Sequence, residues 1–388
     1  MSERVYLDWN ATAPLRPQAR VAMAAAMTVL GNPSSVHAEG RAARRIIEGA
    51  REQVAAAVGA EPRNIVFTSG GSEANALALS RNLEVGGKGC CDALIAFRLE
   101  HPSVRAGGDF STHDRVDADR QGTVSLGHLG QRLAAACARG ITQPQVALMA
   151  ANNETGVVQP VREAAALVHA AGGLLHVDAV QAIGKIPVDI NAMGADTVAL
   201  SAHKLGGPMG VGALVMSRDL HFRGGSRLGG GQERGRRGGT ENVIGIAGFG
   251  AAIAEATRDM AGEGARLAAL RQRLERGLRG VWPQTVIFGE KAPRVPNTVQ
   301  FAVAGINAQT ALIALDLEGI SVSSGSACSS GTVKFSEVVR GMGYEPSLAE
   351  CAVRLSMGWT TTEAEIDRFL QAWRKVSQPL LKRREIAA

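Results

Sequence analysis

The sequence has few cysteines, and their spacing is not typical of disulfide bonds or of a structural metal site. The five cysteines are an odd number and form no C-x-x-C pair. A disulfide framework and a structural zinc site therefore do not fit this chain. Thiols in this pattern indicate a reducing compartment, so we predict a cytoplasmic protein. The five are Cys90, Cys91, Cys137, Cys328 and Cys351.

Long blocks of one charge and long apolar runs are also absent. The formal net charge of +6 comes from 42 basic and 36 acidic residues, with no run of five or six like charges. This distribution gives little support to bulk nucleic-acid binding and suits a small anionic ligand. No apolar run reaches the roughly 20 residues of a membrane span. Because Pro17 and Gly31 bracket the alanine-rich residues 21–30, we predict a helix there and no membrane partner.

Aromatic residues make up only 4% of the chain, whereas glycine is abundant, with 47 among 388 residues. Many glycines indicate backbone positions with positive φ or close approach to a ligand, as in binding loops. The chain is 45% hydrophobic and 20% charged, which is typical of a globular protein of about two domains. These values exclude a disordered chain, a fibrous repeat and a small disulfide-rich module.

From about residue 60, short apolar runs alternate with alanine-rich stretches. This alternation predicts an α/β fold with a mainly parallel sheet between helices. Ligands of such sheets bind beyond the carboxyl ends of the strands. The predicted strands are residues 65–67, 93–97, 146–149, 174–177, 197–200 and 212–215.

The last third of the sequence predicts a second, smaller α/β region. A long helical stretch runs from about residue 245 to 279, strand candidates follow at 298–301 and 321–322, and residues 363–375 form a closing helix. We place a domain boundary near residue 258. The large domain is then residues 16–258 and the small domain residues 259–388, with residues 1–15 expected to pack on the small domain.

Three strand ends carry residues typical of a cofactor site. Gly70, Gly71 and Ser72 stand between a strand and an alanine-rich helix, where backbone N–H groups favour a phosphate; a plain capping turn with Ser72 as N-cap is the alternative. Asp178 ends one later strand, with Gln181 one turn on. Lys204 follows another strand end, after Ser201 and His203.

This combination of residues indicates pyridoxal 5′-phosphate. A lysine at a ligand crevice can form a Schiff base, and an acid on a neighbouring strand end can hold a protonated pyridine nitrogen. Taken alone, either residue is more often a solvated strand end. His101 follows a further strand and is a candidate for ring stacking or proton transfer, and Arg354 is a candidate clamp for a carboxylate, unless they are an ordinary loop histidine and a surface arginine.

Cys328 lies in a tract of serines and glycines, which predicts a mobile loop at about residues 321–335. A thiol on such a loop can approach a substrate and withdraw. Cys137 lies in an alanine-rich helical stretch and Cys351 just before an apolar run, so we predict that both are core residues. Cys90 and Cys91 are predicted to form an ordinary entry into a strand.

Together these motifs resemble the cysteine desulfurases of the NifS/IscS type, which are fold-type I, class-V aminotransferase relatives that use pyridoxal phosphate. The resemblance extends from residue 6 to residue 366. Such enzymes have a seven-stranded sheet in the large domain. The motifs that carry it are YLDWNAT (residues 6–12), GNPSS (31–35), EHP (100–102), NNE (152–154), DAVQ (178–181), SAHK (201–204), GGGQER (229–234), GTEN (239–242) and SSGSAC (323–328).

The resemblance implies a role for each matching residue. Lys204 would form the Schiff base, His101 would stack on the ring and move protons, and Cys328 would accept sulfur from L-cysteine as a persulfide while L-alanine leaves. The remaining implied cofactor contacts are Asp178 on the pyridine nitrogen, Gln181 and Asn153 on the ring hydroxyl, and Gly71, Ser72, Ser201, His203 and Thr240 at the phosphate. The implied substrate-carboxylate contacts are Asn32 and Arg354.

The resemblance also implies partners. Thr240 would come from the other subunit of a homodimer, and an acceptor such as an iron–sulfur scaffold protein, or a tRNA-thiolation pathway, would take the sulfur. Two alternatives of the same fold are a selenocysteine lyase and a cysteine-sulfinate desulfinase, although Cys328 favours sulfur transfer. An alternative of another class is an RNA-binding module that uses Arg234, Arg236 and Arg237.

Overall fold

The computed structural model describes residues 4–85, 91–217, 220–223, 229–324 and 335–387. In these residues the α-helices are α1 Pro17–Met27, α2 Ala38–Ala57, α3 Gly71–Ala78, α4 Pro102–Arg105, α5 Leu126–Ala138, α6 Val161–Ala170, α7 Ile190–Met193, α8 Val243–Arg258, α9 Met260–Val281, α10 Ala308–Leu317, α11 Glu337–Gly341, α12 Pro346–Ala349 and α13 Glu363–Ala387. Short 3-10 turns are Pro62–Asn64, Ala202–Lys204 and Gln232–Gly235.

The strands of the described residues are mostly short and apolar. They are β1 Val5–Tyr6, β2 Ile65–Thr68, β3 Leu83–Val85, β4 Ala93–Phe97, β5 Asp114–Val116, β6 Pro144–Met149, β7 Leu174–Asp178, β8 Thr197–Ser201, β9 Gly212–Met216, β10 Leu220–Phe222, β11 Val286–Ile287, β12 Thr298–Ala302, β13 Ile320–Ser321 and β14 Val353–Ser356. All six strands predicted for the large domain are present, extended by at most two residues at either end.

The central sheet has seven strands in the order β2-β9-β8-β7-β6-β4-β5. The pairs from β8 to β5 are parallel, and only β9 runs antiparallel to its neighbours. Both faces are covered by helices, so β6, β7, β8 and β9 are buried throughout. The α/β fold with a mainly parallel seven-stranded sheet is therefore confirmed.

Side chains of the sheet alternate between two cores. Ile95 and Phe97 face a core shared with α2, α5, α6 and α8. Leu94 and Ala96 face the opposite core, which includes residues of α3 and α4. Successive side chains of a strand therefore point to opposite faces of the sheet. Because β6, β7 and β8 run parallel, their carboxyl ends meet at one edge of the sheet, where the candidate site lies.

A separate core lies beneath a small antiparallel sheet, β11-β12-β14. It combines leucines of α9 with Phe301 and Trp373, whose ring centroids are 5.1 Å apart. Val5 and Leu7 belong to the same core, and β1 pairs in parallel with β13. The boundary near residue 258 and the three-part division remain predictions, and this second core supports them.

Two sequence predictions were wrong in detail. The stretch from 245 to 279 is not one helix, because α8 ends at Arg258 and α9 begins at Met260, with the Asp259 carboxylate accepting the Gly262 N–H at 3.1 Å. Cys137 is exposed, because its position on α5 faces away from the core. Cys351 and Cys91 are buried, and Cys90 lies outside the described residues. Among the described residues, no helix combines the length and the apolar composition that crossing a membrane requires.

Candidate active site

A cavity of about 520 Å³ opens beyond the carboxyl ends of β6, β7 and β8. Met149, Asp178 and Ser201, the last residues of these strands, all line it. Its volume suits a cofactor or substrate of moderate size. The predicted site residues that line this cavity are Gly71, Ser72, His101, Asn153, Asp178, Gln181, Ser201, His203, Lys204 and Arg354.

The turn between β2 and α3 forms one wall of the cavity. A Cβ atom added to Gly212 would lie 2.6 Å from the Gly70 carbonyl carbon, and one added to Gly71 would lie 2.8 Å from Val180. Glycine at these two positions therefore lets the turn pack closely on β9 and on the segment that follows β7. Gly70 precedes the helix, so Ser72 is not its N-cap but lies in the first turn and lines the cavity. The N-terminus of α3 thus faces a space suited to an anion.

Asp178 receives two hydrogen bonds. Its Oδ1 accepts the Val180 N–H at 3.0 Å, and its Oδ2 accepts Asn75 Nδ2 at 2.8 Å. Asp178 is 7% exposed. Two donors and a cavity-facing position suit an ionised carboxylate that pairs with a cationic group.

Lys204 lies on the 3-10 turn after β8 and contacts the N-terminal segment, which forms part of the cavity wall. Its Nζ donates to the main-chain oxygens of Asn10 and Ala11, each at 2.7 Å. Asn10 is buried and also accepts Gln181 Nε2 at 3.0 Å. The pKa of the neighbouring His203 is lowered to about 4 by burial and then by the positive charge of Lys204. Asn10 was not predicted as a site residue, although the motif of residues 6–12 contained it.

A second amine, Lys185, lies beside this cluster and was missed by the sequence analysis. Its Nζ donates to Gln181 Oε1 at 2.6 Å and to Asn10 Oδ1 at 2.9 Å. Burial, and then the charges of Lys204 and Arg354, hold the pKa of Lys185 well below its usual value. Lys185 therefore orients the side-chain amide of Gln181, with the oxygen toward Lys185 and the nitrogen toward the main-chain oxygen of Asn10.

Arg354 is buried at 3% exposure, so it is not a surface arginine. Its Nη2 pairs with Asp8 Oδ1 at 2.8 Å, and its Nη1 donates to the main-chain oxygen of Asn153 at 2.9 Å. These contacts hold the guanidinium at the cavity wall, where a substrate carboxylate could bind. Asp8, like Asn10 and Lys185, was missed by the sequence analysis.

His101 follows β4 and caps the short helix α4. Its Nδ1 lies 2.8 Å from Ser103 Oγ and accepts the Ser103 N–H at 3.2 Å. The preceding Glu100 is fully buried, and burial together with the charge of Asp178 raises its pKa well above the usual value. Burial therefore favours the neutral form of the acid beside His101.

Two of the predicted site residues do not line the cavity. Asn32 and Thr240 are exposed on this chain and lie away from it. Cys328 lies outside the described residues, as does most of the predicted loop at 321–335. The described residue Ser323 exchanges two main-chain hydrogen bonds with Arg354, at 2.6 and 3.1 Å. The chain therefore enters the Cys328 segment directly beside a residue of the cavity.

Two of the three arginines proposed for RNA binding, Arg236 and Arg237, make contacts within the protein. Arg236 Nη1 donates to the Arg63 oxygen at 2.7 Å, and Arg237 pairs with Glu73 at 2.9 Å. Glu73 in turn accepts the Ser69 N–H at 2.6 Å, beside the α3 N-terminus. Arg237 therefore supports the cavity wall through Glu73, and the RNA-binding alternative gains no support.

Comparison with known proteins agrees with this geometry. The chain matches the family model of the class-V aminotransferases over residues 5–369. A cysteine desulfurase of Cereibacter sphaeroides is 40% identical over 380 residues, covering 95% of this chain and 94% of that protein. The cysteine desulfurase IscS of Clostridium botulinum is 35% identical over 397 residues, covering 100% of this chain and 97% of that protein.

Solved structures show the same relationship. A NifS-like protein from Rickettsia africae superimposes with a TM-score of 0.87 at 33% identity, covering 97% of this chain and 99% of that one. The residues matched by the family model, 5–369, include every residue that lines the cavity. The chain belongs to the class-V aminotransferase family and, within it, to the cysteine desulfurases of the NifS/IscS type.

Proposed function

We propose that this protein uses pyridoxal 5′-phosphate to remove sulfur from L-cysteine, releasing L-alanine and leaving the sulfur on Cys328. One observation carries the proposal: the amine of Lys204 and the carboxylate of Asp178 line the same cavity as the glycine-walled N-terminus of α3. An amine, an anionic acceptor and a phosphate-binding helix end are the three groups that pyridoxal phosphate requires.

The residues of the cavity divide into sets for each part of the cofactor. Asp178 would pair with the pyridine nitrogen, and His101 would stack on the ring. Gln181 and Asn153 would hold the ring hydroxyl, with Gln181 donating because Lys185 occupies its amide oxygen. The proposed phosphate contacts are Gly71, Ser72, Ser201, His203 and, from a second copy of the chain, Thr240.

When bound, pyridoxal phosphate supplies an electron sink that acidifies the α-proton of the substrate. The Lys204 amine is the base that takes this proton, and His101 can move a second one. Arg354, with Asn32, would hold the substrate carboxylate. This arrangement orients L-cysteine with its sulfur available to Cys328.

The sulfur transfer is an attack by the Cys328 thiolate on the substrate sulfur. A sulfur–sulfur bond forms as the carbon–sulfur bond breaks, and the electron pair left on the substrate carbon takes up a proton. The products are L-alanine and a persulfide on Cys328. No external oxidant or reductant is needed, because the substrate carbon is reduced as the sulfur is oxidised.

We extend the proposal to assembly and destination. Thr240 is exposed on one chain, which supports a homodimer in which it completes the partner cavity. The persulfide would pass to an acceptor such as an iron–sulfur scaffold protein. A reducing compartment such as the cytoplasm suits a thiol carrier in a chain whose five cysteines form no C-x-x-C pair.

The visible absorption spectrum tests the proposed function. The purified protein, reconstituted with pyridoxal phosphate, should absorb in the visible range and change its spectrum when L-cysteine is added. A Lys204→Ala variant should not form the Schiff-base band. A wild-type protein that stays colourless after reconstitution would rule out the proposal.

A further inference from the structure

A chain of hydrogen-bonded polar side chains in the cavity wall joins Asp178 to His101. Asn75, on α3, is its centre: Nδ2 donates to Asp178 Oδ2 at 2.8 Å and to Ser103 Oγ at 2.9 Å. On its other side, Asn75 Oδ1 lies 2.9 Å from His176 Nε2. Ser103 then reaches His101 Nδ1 at 2.8 Å. Asn75 and His176 are 1% and 0% exposed.

The orientation of the Asn75 amide follows from its neighbours. Ionised Asp178 can only accept hydrogen bonds, so the Asn75 atom that faces it must be the NH₂ group. The amide oxygen then faces His176 Nε2, and this nitrogen must carry a proton. Burial lowers the pKa of His176 to about 4, so the ring is neutral and its other nitrogen, Nδ1, is unprotonated beside Thr197 Oγ1.

The same logic continues to His101. Ser103 Oγ accepts a hydrogen from Asn75, so its own hydrogen is available to His101 Nδ1. The Ser103 main-chain N–H points to the same nitrogen. Because Nδ1 accepts from both groups, the proton of neutral His101 is on Nε2.

We propose that Asn75 is a positioning residue whose single amide group holds Asp178 as an acceptor and, through Ser103, fixes the tautomer of His101. His176 anchors the amide by donating to its oxygen. The inference rests on the proposed function, because it assigns these contacts to the two residues that would flank the cofactor ring. One hydrogen-bond chain then keeps Asp178 as an acceptor and places the proton of His101 on Nε2, so that the two residues are not set independently.

Nitrogen-15 NMR of the histidine rings tests this hydrogen-bond chain directly. In the holoenzyme, with signals assigned by His→Gln substitution, His176 and His101 should each show a protonated Nε2 and an unprotonated Nδ1 at neutral pH. This pattern would support the proposal. A proton on Nδ1 of His176 would overturn it, because Asn75 would then have to turn its oxygen toward Asp178.

Variants separate the two branches. Asn75→Ala should raise the dissociation constant of pyridoxal phosphate about tenfold and leave His176 as a mixture of tautomers, since one hydrogen bond to a charged group is lost. Ser103→Ala should alter the His101 signals and change cofactor affinity less than twofold. Unchanged His101 signals in Ser103→Ala, or unchanged cofactor affinity in Asn75→Ala, would overturn the corresponding branch.

Gln145→Ala is the matched control. Gln145 is a buried amide on the adjacent strand β6, and it donates to the Ala78 oxygen at 2.7 Å without lining the cavity. Its loss should lower stability while both histidine tautomers stay as in the wild type. If the predicted tautomers are present in a protein that binds no pyridoxal phosphate, the hydrogen-bond chain stands and the proposed function fails; bound cofactor with the opposite tautomers overturns only the chain.

Discussion

Glu100 carries its carboxyl group in surroundings that favour the neutral acid. Oε1 accepts the Met149 N–H at 2.5 Å, whereas Oε2 is buried and has no hydrogen-bond partner among the described residues. The nearby charge of Asp178 adds repulsion, and the pKa of Glu100 is raised. An ionised Glu100 therefore destabilises the folded protein.

This environment predicts a pH-dependent effect of Glu100→Gln. Since its folded pKa lies above the unfolded one, the folded state binds the extra proton, and wild-type stability falls as pH rises through that interval. The amide avoids this loss, so the variant should gain about 1–2 kcal/mol over the wild type at pH 8 and little at pH 5. Urea unfolding of the apoprotein at both pH values measures the difference.

Glu163→Gln is the control, because Glu163 is exposed in the first turn of α6. Its effect on unfolding should be small at both pH values. A gain for Glu100→Gln that is the same at pH 5 and pH 8 would show that Glu100 is not held neutral.

Single residues also show how far the sequence predicts the site. Lys204 and Asp178 were predictable because each stands at the end of an apolar strand, where ligands bind. Asn75 and Asp8 were not, because their roles depend on contacts between distant parts of the chain. Asn75 meets Asp178 across 103 positions, and Asp8 meets Arg354 across 346.

At the scale of elements, the Gln232–Gly235 turn combines strain with a buried ion pair. Glu233 and Arg234 have positive φ angles, 47° and 59°. Glu233 is buried and forms two hydrogen bonds with Arg51, at 2.7 and 2.9 Å. The ion pair holds a backbone shape that L-residues adopt rarely.

Arg234 is exposed, so its own side chain contributes little to this turn. Arg234→Gly should therefore stabilise the protein by about 0.5–1 kcal/mol, because glycine adopts a positive φ without steric cost. Chemical unfolding measures this gain. As a comparison, Arg276→Gly in the middle of α9 should destabilise by about 1 kcal/mol. Destabilisation by Arg234→Gly would contradict the assignment of strain.

Elements differed in how well the sequence predicted them. Six of the seven strands of the central sheet were predictable because helices cover both faces and each of these strands is a largely apolar run. The seventh, β5, was not predicted, because two of its three residues are charged. The break between α8 and α9 was missed, since alanine and arginine continue on both sides of it. Its signal was Asp259, whose side chain caps the second helix.

At the scale of the whole molecule, the cavity is built by segments from across the chain. Asn10 comes from the N-terminal segment, Asp178 and Lys204 from the large sheet, and Arg354 from the small sheet. The sequence predicted Asp178, Lys204 and Arg354 as site residues, but it predicted neither Asn10 nor how the N-terminal segment closes the site. That closure depends on the packing of Val5 and Leu7 in the separate core beneath the sheet β11-β12-β14.

The most direct test of the account is mass spectrometry of Cys328 after the holoenzyme has reacted with L-cysteine and a thiol-trapping reagent. We expect one added sulfur atom on the peptide that contains Cys328, formed together with L-alanine. Both products should be absent in Lys204→Ala, and the added sulfur should be absent in Cys328→Ser. Formation of L-alanine at the wild-type rate by Cys328→Ser, with no sulfur on Cys328 in the wild type, would contradict it.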